Sequence, residues 1–139
     1  LLGRDIKRKL TRHYLGRVFA TMASQVLALP IYDTQCGAKL FRVSNDLPVV
    51  LSRPFMSKWI FDVELLARYI GLRRGTSKPQ IEHCLYEFPL DEWRDIAGSK
   101  LNLMSKVQGL SGLYMIWQEY FSPWKSWPPQ SPSTAEKEL

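Results

Sequence analysis

Ile31-Tyr32-Asp33-Thr34-Gln35-Cys36-Gly37-Ala38-Lys39-Leu40-Phe41-Arg42 decides how this chain is read. Asp33, Thr34 and Gln35 sit together between an apolar run that ends at Leu29-Pro30 and an alternating run, Ala38 to Val43. Buried polar groups need hydrogen-bond partners, so such a loop either holds itself together or faces a ligand. Spacing alone leaves both open. Gly37 has the freedom to take a positive φ, which would bring backbone amides close to a ligand.

Working outward, Asp5 to Leu29 predicts a helix. Ile6, Leu10, Tyr14, Val18, Met22 and Val26 recur every four residues, and Leu15 and Phe19 widen the stripe. Arg4, Lys7, Arg8, Lys9, Arg12 and Arg17 crowd this end, opposed only by Asp5. Ala38 to Val43 predicts a strand, with Leu40 and Arg42 on one side and Lys39 and Phe41 on the other. Asn45 to Ser52 reads as a short helix, and Phe61 to Ile70 as a longer one with Gly71 as its C-cap. Ile81 to Phe88 alternates as a second strand, and Leu101 to Phe121 predicts a helix striped by Met104, Val107, Leu110, Tyr114 and Trp117. Gly109 and Gly112 weaken that helix. The pattern is α+β: long amphipathic helices with a few strands. Two strands make no stable sheet alone, so partner strands are expected outside this sequence.

With 139 residues, 45% of them hydrophobic, the chain suits one domain with a modest core. A formal charge of +6 and a pI near 9.5 point to an anionic partner: a phosphate, a nucleic acid or a membrane face. Two cysteines, Cys36 and Cys84, make no disulfide scaffold, and no Cys/His cluster supports zinc. No run approaches the ~20 apolar residues that span a bilayer. A membrane would be met from its surface. The start at Leu1 suggests a fragment.

The segment from Asp33 to Phe41 resembles the D-T-Q-C-G-(F or A)-K-L-F motif of the dolichyl-phosphate and polyprenyl-phosphate sugar transferases of glycosyltransferase family 2. Four further pieces follow that family's order. Arg12-His13-Tyr14-Leu15-Gly16 is similar to its Arg with a small residue four positions on. Trp59-Ile60-Phe61-Asp62-Val63-Glu64-Leu65-Leu66 looks like its W-x-F-D-x-E-L-L. A strand leads to Glu87 and Trp93, and Gly98-Ser99-Lys100 looks like its G-S-K. The resemblance covers roughly Leu2 to Val107, five motifs in register.

This resemblance implies a GT-A fold, which is Rossmann-like α/β, of which residues 1–121 form the acceptor-side half and 122–139 a Pro/Ser-rich disordered tail. The donor half, with its D-x-D metal motif, has no counterpart here. The implied reaction moves a hexose from a nucleotide-diphosphate sugar onto a polyprenyl (dolichyl or undecaprenyl) phosphate. The implied partners are that donor, that acceptor and a membrane surface on the cytoplasmic side, with any anchor in a separate segment or subunit. Divalent Mg or Mn is implied for the full enzyme, its ligands mostly outside this chain, and the fragment alone is expected to be inactive.

The resemblance also implies roles for single residues. Lipid phosphate is already anionic and needs positioning cations more than a strong base. Arg12 is the first candidate to grip it, with Lys100 beside the Ser99 hydroxyl the second. Asp33 and Asp62 are the catalytic candidates; Gln35, Gly37, Lys39 and Glu64 complete the active-site loop. Each has a plain alternative: Asp33 can make an Asx-turn, Asp62 can be a helix-start carboxylate, and Arg17 reads as a surface cation. Two rivals stand beside this reading. One is a family 2 transferase with a non-lipid acceptor. The other is a non-catalytic basic binding module, although no nucleic-acid motif is visible and no nucleic acid is expected as a partner.

Overall fold

The computed structural model describes residues 6–7, 10–89, 93–94 and 103–122. The expected tail beyond residue 122 lies outside them. Four helices, α1 (Leu10–Leu27), α2 (Asp46–Leu51), α3 (Phe61–Arg73) and α4 (Leu103–Ile116), carry the fold, and α4 widens into a π-helical turn over Trp117–Phe121. A 3-10 turn occupies Ile81–His83. Strands β1 (Ile6–Lys7) and β2 (Trp93–Arg94) form a two-residue parallel bridge, pairing Ile6 with Trp93 and Lys7 with Arg94.

Helix α3 is the hub and packs against α1, α2, α4 and the 3-10 turn. Asp62 and Glu64 fill its first turn and Arg73 its last, the polarity its dipole favours. Every residue from Asp62 to Tyr69 is buried. Around it lie Ala23 and Leu27 of α1, Val50 of α2, and Leu113, Ile116 and Tyr120 from the C-terminal helix. Gly71, expected to end α3, lies inside it. The chain turns at Arg74-Gly75, where Gly75 takes φ 71° and the Thr76 amide donates to the Arg73 carbonyl at 3.1 Å.

The stripes predict the buried faces of the two long helices only in part: Phe19 and Val26 of α1 pack against the core. Tyr14 and Val18 are 66% and 58% exposed, while Ala20, Ala23 and Leu27 go inward. On α4, Leu110, Tyr114 and Trp117 face outward, while Gly109, Gly112, Leu113 and Ile116 face the core. The cause is close approach: small residues let the helix axes come together, and the large residues then have no room between them. A Cβ on Gly109 would lie 3.1 Å from Cε2 of Phe19, and one on Gly112 only 2.6 Å from Cδ1 of buried Ile60.

Neither expected strand forms. Ala38 to Val43 is extended but makes no ladder bonds among the described residues, and Leu40 and Val43 are almost fully exposed. Ile81 to Phe88 begins instead as the 3-10 turn, closed by the Cys84 amide donating to the Ile81 carbonyl at 2.9 Å. An alternating run becomes a strand only against a pairing neighbour, and among the described residues neither run makes strand pairing.

Glu64 and Arg68 form a buried ion pair at 2.7 Å, one helical turn apart. The guanidinium also donates to the carbonyls of Val50, Arg53 and Pro54 at 2.7 to 2.8 Å and to the Tyr120 hydroxyl at 3.1 Å. It lies 4.3 Å from the Phe55 ring centre. Glu64 accepts from the Met56 amide and from Tyr120, both at 2.8 Å. Burial pushes the Tyr120 hydroxyl up to about 12, against the pull of Arg68 and with help from Glu64, so it stays protonated and donates.

Arg68→Leu leaves the buried Glu64 carboxylate without its cation and three carbonyls without the guanidinium donor. It is expected to cost about 3–5 kcal/mol in urea unfolding, a large fraction of the ~5–15 kcal/mol of an ordinary domain. The glycines predict opposite signs. Gly16→Ala, with nothing within 4 Å of the new methyl, should gain about 0.5–1 kcal/mol. Gly112→Ala should lose about 1–2 kcal/mol, because overpacking against Ile60 outweighs the gain in helix propensity. Equal effects at the two positions would contradict the close α3–α4 approach.

Candidate functional site

The loop from Ile31 to Lys39 is held from three sides. Behind it, α1 contributes Arg17, whose guanidinium donates to the Tyr32 carbonyl at 3.1 Å and lies 4.0 Å from the Tyr32 ring centre. From the segment after the 3-10 turn, Glu87 accepts the amides of Tyr32 and Asp33. The distances to its Oε1 are 3.0 and 2.9 Å, and Oε2 lies 2.9 Å from the Tyr32 nitrogen. From the start of α3, the Trp59 carbonyl accepts the Gln35 side-chain amide at 3.5 Å. Thr34 is buried, and its hydroxyl finds no partner among the described residues.

Within the loop, Asp33 is exposed and its Oδ1 accepts the Gln35 amide at 3.0 Å. This is the Asx-turn named above as the plain alternative, and it aims the carboxylate without burying it. Lys39 turns inward. Its ammonium donates to the Cys36 carbonyl and pairs with Oδ2 of Asp62 at 3.5 Å. Asp62 is buried, and its Oδ1 accepts the Val63 amide at 2.9 Å. Burial raises the Asp62 carboxyl above its ordinary value of 3.8, and Lys39 and the Val63 amide pull against that rise.

Asp33, Gln35, Lys39 and Asp62 are thus brought to one loop and the end of one helix. Glu64, two residues past Asp62, takes the other face of α3 and is spent on Arg68 and Tyr120, so it is no part of the loop. Gly37 does not use the positive φ open to it. Its Cα faces open space. Arg12 lies on α1, but its side chain is outside the described residues, as are Ser99 and Lys100. The described residues hold no group of three or more His, Cys, Asp or Glu arranged to bind a metal. They also include no helix long and apolar enough to cross a membrane.

Two residues that shape the loop carried little local signal. Arg17 reads as a surface cation, yet it braces Tyr32. Glu87 enters only as a motif member, 55 residues from the amide it accepts. No period or cap pattern links positions so far apart.

No family profile matches the chain, and no solved structure does. Among curated proteins, the dolichyl-phosphate β-glucosyltransferase of Drosophila melanogaster is 33% identical over 109 residues, which is 78% of this chain and 28% of that protein. The dolichyl-phosphate β-glucosyltransferase of Saccharomyces cerevisiae is 36% identical over 100 residues, 70% of this chain and 26% of that protein. The chain spans about a quarter of the length of the curated relatives it matches.

The raised Asp62 carboxyl gives a pH prediction. Its proton is held more tightly in the folded chain, so its contribution to stability is complete below pH 3.8 and is lost as pH rises through the raised value. Asp62→Asn removes that loss and keeps an acceptor for the Val63 amide. Thermal melts recorded upward from pH 3.8 should show the variant gaining on wild type as pH rises. Parallel curves would contradict the assignment. Identity over most of this chain with two such enzymes, together with the motifs from Arg12 to Lys100, relates it to the dolichyl-phosphate type of glycosyltransferase.

Proposed function

We propose that this chain is the acceptor-side part of an enzyme that transfers a hexose from a nucleotide-diphosphate sugar to a polyprenyl phosphate of the dolichyl type. The observation that carries this reading is the identity to two proteins named dolichyl-phosphate β-glucosyltransferases. Their name makes glucose the first sugar to test. The family 2 assignment, the GT-A fold and the donor half with its metal motif rest on the resemblance. Divalent Mg or Mn, with ligands mostly outside this chain, is part of the proposal, and no step is routed through it.

The chemistry asked of these residues is positioning. The acceptor oxygen attacks the anomeric carbon, the bond to the nucleoside diphosphate breaks, and the diphosphate leaves with the electron pair. The acceptor carries its own negative charge, so the step draws on cations that orient it and on an ordered loop beside it. Arg12, Ser99 and Lys100 are the proposed phosphate contacts. Asp33, exposed at the loop tip, is the proposed carboxylate at the reacting centre, and Asp62 supports the loop through Lys39. The basic N-terminal sequence from Arg4 to Arg17 and the outward Tyr14, Val18 and Met22 of α1 suit a membrane surface on the cytoplasmic side.

The test uses the full-length parent enzyme with labelled UDP-glucose or GDP-mannose, polyprenyl phosphate, and assays with and without manganese. Wild type is expected to transfer glucose, and Arg12→Ala to raise the acceptor KM by at least about tenfold with a smaller change in kcat, the loss of one phosphate fork. Absence of transfer to any polyprenyl phosphate would remove the function. Transfer with an unchanged Arg12→Ala would remove Arg12 from the acceptor site.

A further inference from the structure

We propose that Glu87 is a positioning residue for the transfer reaction. Together with Arg17 it clamps Tyr32 and so sets where the Asp33 carboxylate stands. The inference rests on the reading of Asp33 given above.

The peptide units around Tyr32 are gripped on both sides. Glu87 accepts the Tyr32 and Asp33 amides within 2.9 to 3.0 Å, while Arg17 donates to the Tyr32 carbonyl at 3.1 Å and covers the ring. Two consecutive amides aimed at one carboxylate are charge-assisted bonds, stronger and shorter than neutral ones. They orient the backbone from which the Asp33 side chain leaves. The Asx-turn to Gln35 then fixes that side chain's own rotation. Asp33 is therefore held at its amide and at its carboxylate oxygen.

The clamp reaches across the chain. Arg17 comes from α1, and Glu87 from the segment after the 3-10 turn, 55 residues beyond Tyr32. Both residues are solvent-accessible in part, so they are not core groups whose removal would empty a cavity. Their geometry acts on the direction of one loop tip. Misplacing a reacting group by about an ångström can cost about a hundredfold in rate, because it spoils the attack geometry and leaves ground-state binding alone. The effect of Glu87 should accordingly fall on kcat and spare the KM values.

The experiment varies reach and charge separately in the full-length enzyme. Glu87→Asp keeps the charge but draws the carboxylate back by one methylene. Glu87→Gln keeps the reach and an oxygen able to accept both amides, as Oε1 does. The expected result is a kcat lowered about ten- to hundredfold in Glu87→Asp, with donor and acceptor KM within about twofold. Glu87→Gln should hold kcat to within about threefold of wild type, since it forfeits only the charge assistance of the bonds. An unchanged kcat in Glu87→Asp would overturn the proposal, as would a loss in Glu87→Gln equal to that in Glu87→Asp. Asp33→Asn is measured alongside. If it leaves kcat intact, the reading of Asp33 fails. If it lowers kcat while Glu87→Asp does not, only the positioning role of Glu87 fails.

Discussion

The Glu64–Arg68 pair is the constraint on which the remaining structure depends. Moving two charges out of water costs several kcal/mol for each ion, so the pair is a weak source of stability by itself. Its effect is geometric. The guanidinium fork requires the carbonyls of Val50, Arg53 and Pro54 to converge on one plane, so the chain between α2 and α3 has one path open to it. The Met56 amide on Glu64 closes that path, and Tyr120 ties the end of the last helix to the same group. Once these are set, the start of α3 has a fixed place. That start presents the Trp59 carbonyl and Asp62 to the loop.

The loop itself is short and mostly exposed, and its own contacts cannot offset the entropy of ordering it. Order is imported through tethers from distant segments. Arg17 reaches it across 15 residues, Trp59 across 24 and Glu87 across 55. Loop-closure cost grows slowly with length, so long-range tethers remain affordable once the helices have brought their ends together. The helical core and the candidate site are therefore one problem: α1 and α3 pack, and their packing places the groups that hold the loop.

Most helix positions were legible because period and caps are local, but Ile6 and Lys7, expected inside the first helix, pair with Trp93 and Arg94 as a strand instead, and α1 spans Leu10–Leu27. Which face each helix buries was legible only in part. In α1 and α4 the obvious stripes, Tyr14-Val18-Met22 and Leu110-Tyr114-Trp117, lose to faces built from Ala20, Ala23, Gly109 and Gly112. Hydrophobicity ranks large residues first, whereas close helix packing ranks small ones first, and periodicity cannot decide between them. The strands failed for a related reason. Alternation at Ala38 to Val43 is a statement about a neighbour, and about three quarters of the length of the curated relatives lies beyond what this chain matches. Of the residues drawn from the motifs, Asp33, Gln35, Lys39 and Asp62 lie together on one loop and helix start. The motifs also drew in Glu64, which a two-residue step turns to the opposite side of α3. Arg17 and Glu87 carried no comparable signal, because their meaning depends on backbone groups far along the chain.

The same geometry limits how an anionic acceptor could be held. A cation already engaged by a carboxylate or a carbonyl offers little to a phosphate unless that bond is broken. Lys39 is turned onto Asp62 and the Cys36 carbonyl, and Arg17 onto Tyr32. Arg68 is enclosed, and Arg73 and Lys78 share the Asp46 carboxylate. The +6 charge is therefore a poor guide to the site, since the cations nearest the loop serve the loop. The proposed phosphate contacts, Arg12 and Lys100, come instead from motifs on either side of the loop in the chain. The loop's contribution is then directional: an ordered edge, with Asp33 at its tip, beside which an anion held by other residues can be aligned.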